Sequence, residues 1–377
     1  MNSISEISTR LKSRMELCRQ LYGQKNFLDG FRSSLLITEA IDFYKRYWNA
    51  DFSDFYQELI ELQPTYQLVL FVTSKKLAHL GMYDAAAAVA ETGAYLSTGD
   101  VLPLIYAAAL RAKGDLQGAR KMAHGIIAAG QKNTDALSEL VQCDVEELFF
   151  ASDYYDVLNL IHQHAKPETY LEIGVAEGRS MALAHKGTVC VGIDPATGSP
   201  ERISFHSPEN NPQLFRLTSD DFFASCNLPE QLGKATIDVA FLDGLHHFDQ
   251  TLKDFINVEK YSRPDSLVLI HDCLPVNAQV AERQRQTSFW LGDVWKLIPC
   301  LKAVRPDLDI VTLPVKPSGL AIIRNLDPSS RILERQLENI IEHFNAFELP
   351  KSWEEKCKLC CVTDQSPESV LGISEPA

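Results

Sequence analysis

Tyr170-Leu-Glu-Ile-Gly-Val-Ala-Glu-Gly-Arg-Ser180, followed by Val191-Gly-Ile-Asp-Pro195, decides the fold. The first stretch reads as a buried strand running into a glycine-bearing turn that opens a helix. The second reads as a neighbouring strand that ends in a carboxylate. Gly174 and Gly178 lack a Cβ, so the backbone can turn tightly there and a ligand can come close. Asp194 lies 20 residues beyond Gly174, where a carboxylate tipping the next parallel strand can accept both hydroxyls of a ribose. The pattern is that of a nucleoside-cofactor site.

The turn is not one for a dinucleotide. The fingerprint G-x-G-x-x-G is absent, and Glu172 and Glu177 flank the turn, where negative charge repels a pyrophosphate and suits a cationic ligand. The motif Glu172-x-Gly174-x-x-x-Gly178 resembles motif I of the class I S-adenosylmethionine-dependent methyltransferases. The resemblance implies S-adenosylmethionine as cofactor. It places Glu172, Gly174, Gly178 and Ser180 at the cofactor, with the acid and glycines at the methionine end and Asp194 at the ribose. An ordinary Rossmann-like turn with no methyl donor is the alternative.

Outward from this stretch the chain alternates strand and helix, the grammar of a parallel sheet. A helix is predicted over Tyr154 to His164, strand one over Thr169 to Val175, and a helix over Arg179 to Lys186. Strands follow at Val189 to Ile193, Gln213 to Thr218, Asp238 to Leu242 and Ser266 to His271, with a helix at Phe248 to Tyr261 before the last. A Trp-bearing helix around Thr287 to Lys296 leads to a hairpin, Asp309 to Val315 and Gly319 to Arg324. The expected fold class is α/β, a Rossmann-like seven-stranded class I methyltransferase sheet over 151–327, with a C-terminal helix in 328–350. The tail 351–377 has turn formers and no period, so it is expected to be mobile.

Residues 1–150 have helical periodicity and almost no strand signal. Leu77, Gly81, Ala86 and Ala90 recur 33 residues later as Leu110, Gly114, Ala119 and Ala123. This resembles tetratricopeptide repeats, whose period is 34; a third copy around Leu137 to Leu160 is degenerate, and a generic helical bundle fits as well. The region suits a homodimer contact or protein docking, or a cap over the sheet domain.

With 377 residues and a net charge of −14, the chain lacks the clustered Lys and Arg that a nucleic-acid backbone or an anionic membrane surface requires. No stretch approaches the roughly 18 apolar residues of a membrane span, and the polar start is no signal peptide. Nine cysteines without a disulfide-like framework fit a reducing, cytoplasmic setting. Cys357-x-x-Cys-Cys361 lacks the further ligands of a zinc site and reads as exposed reduced thiols.

In open parallel sheets, ligands bind beyond the carboxyl ends of the strands, and polar groups collect at four such ends. Thr218-Ser-Asp-Asp-Phe222 follows strand three; one of Asp220 and Asp221 can take the adenine amino group while the other caps a helix, and Asp220 is the choice. Strand four ends in Phe241-Leu-Asp-Gly-Leu-His-His-Phe-Asp249 and strand five in Leu269-Ile-His-Asp-Cys273. Neighbouring strands lie about 4.8 Å apart, so Asp243 and Asp272 can face one cation, of the kind Mg²⁺ with its oxygen ligands supplies. The pair resembles metal-dependent small-molecule O-methyltransferases of the macrocin and cephalosporin-hydroxylase-like branch. Its fifth strand usually ends in two acids; His271 in the first place makes a softer cation such as Mn²⁺, Fe²⁺ or Zn²⁺ suitable.

The resemblance makes Asp243 and His246 catalytic, Asp243, His271 and Asp272 metal ligands, and a small-molecule or sugar hydroxyl the acceptor. His246 stands where the Asp-Gly-x-His relatives carry histidine, and imidazole can take a hydroxyl proton near neutral pH. His247 is the alternative base, and both histidines could instead cap the helix that Phe248 enters. Trp290 and Trp295 either cover the acceptor or pack in the core. The loop Pro195 to Pro212, with Arg202 and His206, could lid the cofactor. A non-catalytic interaction protein and a metal-free N- or C-methyltransferase are the rival functions.

Overall fold

The structure, a computed structural model, describes residues 101–129, 133–196 and 212–373. The first repeat frame, Leu77 to Ala86, and the loop residues Arg202 and His206 lie outside the described residues. The chain divides into two compact units, Met1–Cys143 and Asp144–Ala377, seven residues before the boundary the sequence suggested. In the first unit α1 (Val101–Ala112) and α2 (Leu116–Ala128) are joined by a turn through Gly114, with Ala107, Ala119 and Ala123 fully buried. Asp115 caps α2 by accepting from the Gly118 amide at 2.9 Å. The second repeat frame is therefore a helix-turn-helix. Helix α3 (Thr134–Leu148) runs across the division.

The second unit is a seven-stranded sheet with helices on both faces. In chain order it runs α4 (Tyr154–Ala165), β1 (Thr169–Ile173), β2 (Val189–Ile193), β3 (Gln213–Phe215), α5 (Ser219–Ser225), α6 (Leu228–Leu232), β4 (Val239–Leu242), α7 (Phe248–Glu259), β5 (Leu267–His271), α8 (Leu297–Val304), β6 (Asp309–Leu313) and β7 (Leu320–Arg324). Strand order is β3-β2-β1-β4-β5-β7-β6. The first five are parallel, and β7 is antiparallel to both neighbours.

Alternation along β1 explains the two cores. Leu171 and Ile173 join Ala240, Leu242, Val268 and Ile270 under α7 and α8, while Tyr170 joins Val239, Phe241 and Leu269 under α4. Short apolar runs buried on both faces are what a central parallel strand requires. Among the described residues no helix is long and apolar enough to cross a membrane.

Three predicted helices differ. In place of a helix over Arg179 to Lys186 there is one 3₁₀ turn, Met181–Leu183. Gly174, Ala176 and Gly178 all have left-handed φ, as does Gly187, and Ala184 is already out of the helical region at φ −55° and ψ +133°, so the backbone turns helical for a single turn only. Residues 287–293 are not helical either; they form a loop ahead of a 3₁₀ turn at Val294–Lys296. The C-terminal helix is two pieces, α9 (Ile332–Arg335) and α10 (Leu337–Asn345), broken at Gln336.

The tail, expected to be mobile, is ordered through Ile373 and carries α11 (Trp353–Leu359) and α12 (Pro367–Val370). It is fixed by scattered polar and apolar contacts: Lys356, 4% exposed, donates to the Val276 carbonyl, Thr312 pairs with Cys361 and Thr363 at the sheet edge, Trp353 packs on Phe149, and Val370 and Leu371 pack against the core. Such anchors leave no apolar period to read. Cys360 is fully buried and Cys357 and Cys361 are half-buried, so the thiols are not the exposed set expected.

Candidate active site

The parallel ladder continues one residue past the named strands. The Gly174 amide donates to Ile193 O at 2.9 Å, Asp194 to Phe215 O at 3.0 Å, and Asp243 to Ile173 O at 2.8 Å. Because Ile173 pairs with Ile193 and Leu242, and Leu242 with Ile270, the next residues form one row across the sheet: Asp194, Gly174, Asp243, His271. Asp272 stands one step further. This row floors a cavity of about 810 Å³, a size usual for a ligand site.

Gly174 is required by backbone, before any ligand arrives. Its φ is +91°, and a Cβ there would lie 1.9 Å from the Asp243 carbonyl oxygen. The same applies opposite, where a Cβ on Gly292 (φ +67°) would lie 1.8 Å from His246 O. The two glycines thus let the β4 loop be clasped between the β1 turn and the 287–293 loop.

In the clasped loop, His246 Nδ1 lies 3.1 Å from Trp290 O and 3.1 Å from Asp272 Oδ2, with its Nε2 3.8 Å from Asp243 Oδ1. Both neighbours of Nδ1 are acceptors, so Nδ1 carries the hydrogen and Nε2 holds the lone pair in the neutral ring. The ring stacks on Trp290 at 5.1 Å and 17°. Asp243, His246 and Asp272 offer ligand atoms all within 4.8 Å of one another. Ligand atoms around one divalent ion at about 2.1 Å stand roughly 3 to 4 Å apart, so small adjustments suffice.

His271 sits behind that group, not in it. Its Nδ1 lies 3.1 Å from Asp243 Oδ1 and 3.4 Å from Asp272 Oδ1, and its Nε2 is 3.1 Å from the Ser318 hydroxyl. Tyr154 covers the ring at 4.1 Å. Burial favours the neutral imidazole, yet the two carboxylates outweigh it and lift His271 to about 10. Burial likewise pushes Asp272 up, but His271 and His246 hold it below its ordinary value. Asp272 has φ +56°, a left-handed conformation that aspartate tolerates better than most residues.

The remaining predicted residues divide. Asp194 lines the cavity, with Oδ2 accepting from the Ala176 amide at 2.8 Å and Oδ1 from Ala196 at 2.7 Å. Asp220 lines it too and accepts from Gln250 at 3.0 Å, while Asp221 is tied to Thr218 in a capping pair at the start of α5. Glu172, Gly178 and Ser180 do not line the cavity. Glu172 is fully buried, accepting from Ser180 Oγ at 2.5 Å and Tyr170 OH at 2.8 Å. Desolvation raises it to about 8 against those two hydrogen bonds, which favours the protonated acid.

His247 occupies the N-cap position of α7 without a side-chain capping bond; Asp293 instead accepts from the Phe248 amide at 2.8 Å. Trp295 is in the core and Trp290 at the cavity. Sequence reasoning missed Gln250, Asp254 and Arg285, which also line the site. Gln250 and Asp254 stand one helical turn apart on α7, with Gln250 bridging Ser219, Asp220 and Asp254. That i, i+4 polar pair on an otherwise buried face was the available signal. Burial lifts Asp254 to about 6.

Residues 171–273 match a family model described as a methyltransferase domain. The chain carries a methyltransferase domain. No curated protein matches it. Among solved structures, the O-methyltransferase from Bacillus cereus, in complex with S-adenosylhomocysteine, is 17% identical with a TM-score of 0.35, covering 50% of this chain and 90% of that one. An O-methyltransferase family protein from Burkholderia thailandensis is 15% identical with a TM-score of 0.38, covering 72% and 98%. The TomG O-methyltransferase from Streptomyces achromogenes, in complex with S-adenosylmethionine, is 17% identical with a TM-score of 0.36, covering 50% and 88%.

Proposed function

We propose that the methyltransferase domain moves a methyl group from S-adenosylmethionine to a hydroxyl of a small molecule or sugar. The observation that carries this is the single row Asp194–Gly174–Asp243–His271, with Asp272 and His246 above it, opening on one cavity. A sulfonium suits a cavity lined by carboxylates. Asp194 lies at the cavity wall, oriented by the Ala176 and Ala196 amides, where it would meet a ribose diol. Asp220, held by Gln250 at the cavity wall, would accept from an adenine amino group.

S-adenosylmethionine, when bound, supplies a methyl whose bond to sulfur breaks as the bond to the acceptor oxygen forms, the electron pair passing to sulfur. The protein's part is to position that oxygen and accept its proton. His246 Nε2 carries the free lone pair and takes the proton, while its Nδ1–H stays on Trp290 O and Asp272. The resulting imidazolium is stabilised by Asp272 and Asp243. Alignment of oxygen and methyl supplies the rest of the acceleration.

In an alternative version Asp243, His246 and Asp272 would hold a divalent cation, which would lower the pKa of a bound hydroxyl; His246 Nε2 would then be a ligand and not the base. A metal-free version has its own support: His271, lifted to about 10 between Asp243 and Asp272, already gives the carboxylate pair a counter-charge. Calorimetric titration with S-adenosylmethionine and S-adenosylhomocysteine, beside Asp194→Ala, tests the cofactor. Micromolar binding lost in the variant supports the reading; no binding by a folded wild-type protein overturns it. Turnover abolished by EDTA and restored by Mg²⁺ or Mn²⁺ favours the metal version, and indifference to EDTA the metal-free one.

A further inference from the structure

The cavity has five aspartates and one arginine among its described lining residues, and the arginine is the anomaly. Arg285 donates from Nε to Thr287 O at 3.1 Å and from Nη2 to Ser288 O at 2.6 Å. Two of its five N–H groups are thereby committed, leaving three. Among the described residues it makes no ion pair. Its neighbour Arg283 is the contrast, paired with Asp249 at 2.7 Å and Asp293 at 3.5 Å. One arginine closes the loop onto α7, and the other, exposed at the cavity rim, is held by two backbone carbonyls with no carboxylate paired to it among the described residues.

A guanidinium so pinned has paid its side-chain entropy in advance, and its open edge presents parallel N–H groups to a two-oxygen anion. It shares a loop with Phe289 and Trp290, which also line the cavity. Trp290 in turn stacks on His246 and accepts at its carbonyl from Nδ1, so the segment carrying Arg285 also carries the support of the proposed base. An acceptor anchored at Arg285 is thereby held in the same cavity as His246. We infer that the acceptor carries an anionic group, a carboxylate or a phosphate, and that Arg285 is the residue that selects it. This rests on the methyl-transfer reading of the same cavity.

The test is a ligand-observed NMR titration of the full chain with benzoate, phenyl phosphate and benzyl alcohol, with and without saturating S-adenosylhomocysteine. Benzoate or phenyl phosphate should bind at least about tenfold more tightly than neutral benzyl alcohol. The tighter anion names carboxylate or phosphate as the recognised group. In Arg285→Gln the preference should collapse to within about twofold, and Arg285→Lys, which keeps the charge but not the fork, should retain part of it. Equal binding of the three probes to the wild-type protein, or an undiminished preference in Arg285→Gln, overturns the assignment. Failure to take up S-adenosylhomocysteine overturns the methyl-transfer reading instead, and the anion titration remains readable without it.

Discussion

The end of β1 and the end of β4 look alike in sequence, each with an acid within two residues of a glycine (Glu172 and Gly174, Asp243 and Gly244), and the fold uses the two acids in opposite ways. Glu172 and Asp243 lie on the same face of the sheet, but Glu172 sits two residues below the row that Asp243 occupies, about 6.6 Å of depth. That depth places Glu172 beneath α4, protonated and spent on Ser180 and Tyr170. Asp243, one residue past its strand, faces the cavity and two imidazoles. An acid inside a parallel strand belongs to a packing layer, whereas an acid just past the strand end belongs to the site.

If so, the two positions should separate activity from stability. Asp243→Ala should lower turnover by about a hundred- to a thousandfold, the range for losing a positioned catalytic group, with a melting temperature within a few degrees of wild type. A loss below about tenfold would place Asp243 outside the chemistry. Glu172→Ala should do the reverse. It strands the Tyr170 and Ser180 hydroxyls and opens a cavity at a fully buried position, costing about 2 to 4 kcal/mol. Turnover per folded molecule should change only a few-fold; a large loss with stability intact would return Glu172 to the cofactor.

The comparison also shows what could be read from residues alone. The parallel sheet and its closing hairpin were legible because each central strand is a short apolar run bounded by turn formers. The convergence of Asp194, Asp243 and Asp272 was legible because a strand's carboxyl end can be placed to within a residue. The division of labour between the two histidines was not, since it depends on the Gly292 contact with His246 and on Ser318 reaching His271 from across the sheet. Arg285 was hidden for the same reason: its role depends on which carbonyls hold it and on its making no ion pair among the described residues. The ordered tail was hidden because a buried lysine, a few edge hydrogen bonds and isolated apolar side chains such as Trp353 and Leu371 hold it, none of them in a readable period.

A third measurement sharpens the contrast through pH. A carboxyl raised to about 8 from an ordinary value near 4.5 keeps a proton in the folded chain that the unfolded chain has released. Its contribution to stability is complete below about 4.5 and is lost as pH rises towards 8. Denaturant unfolding of wild type and Glu172→Gln across pH 5 to 9 should show the wild type losing stability relative to the variant over that window. The gap should level off above it. A constant difference at every pH would mean Glu172 is ionised in the folded protein.

The smallest expected effect repeats the comparison within one turn. Asp220 and Asp221 are adjacent, yet Asp221 is bound to Thr218 at the start of α5 and Asp220 faces the cavity on Gln250. Asp220→Asn replaces half of the carboxylate's acceptor capacity with donors, which an adenine amino group cannot use. Because Asp220 is half exposed, affinity for S-adenosylhomocysteine should fall only about three- to tenfold, the worth of roughly one hydrogen bond. Asp221→Asn should leave affinity within about twofold and cost about 0.5 to 1 kcal/mol of stability through the weakened cap. Calorimetry on both variants decides it: equal affinities would show that the adenine is held elsewhere, and an exchange of the two effects would make Asp221 the ligand and Asp220 the surface residue.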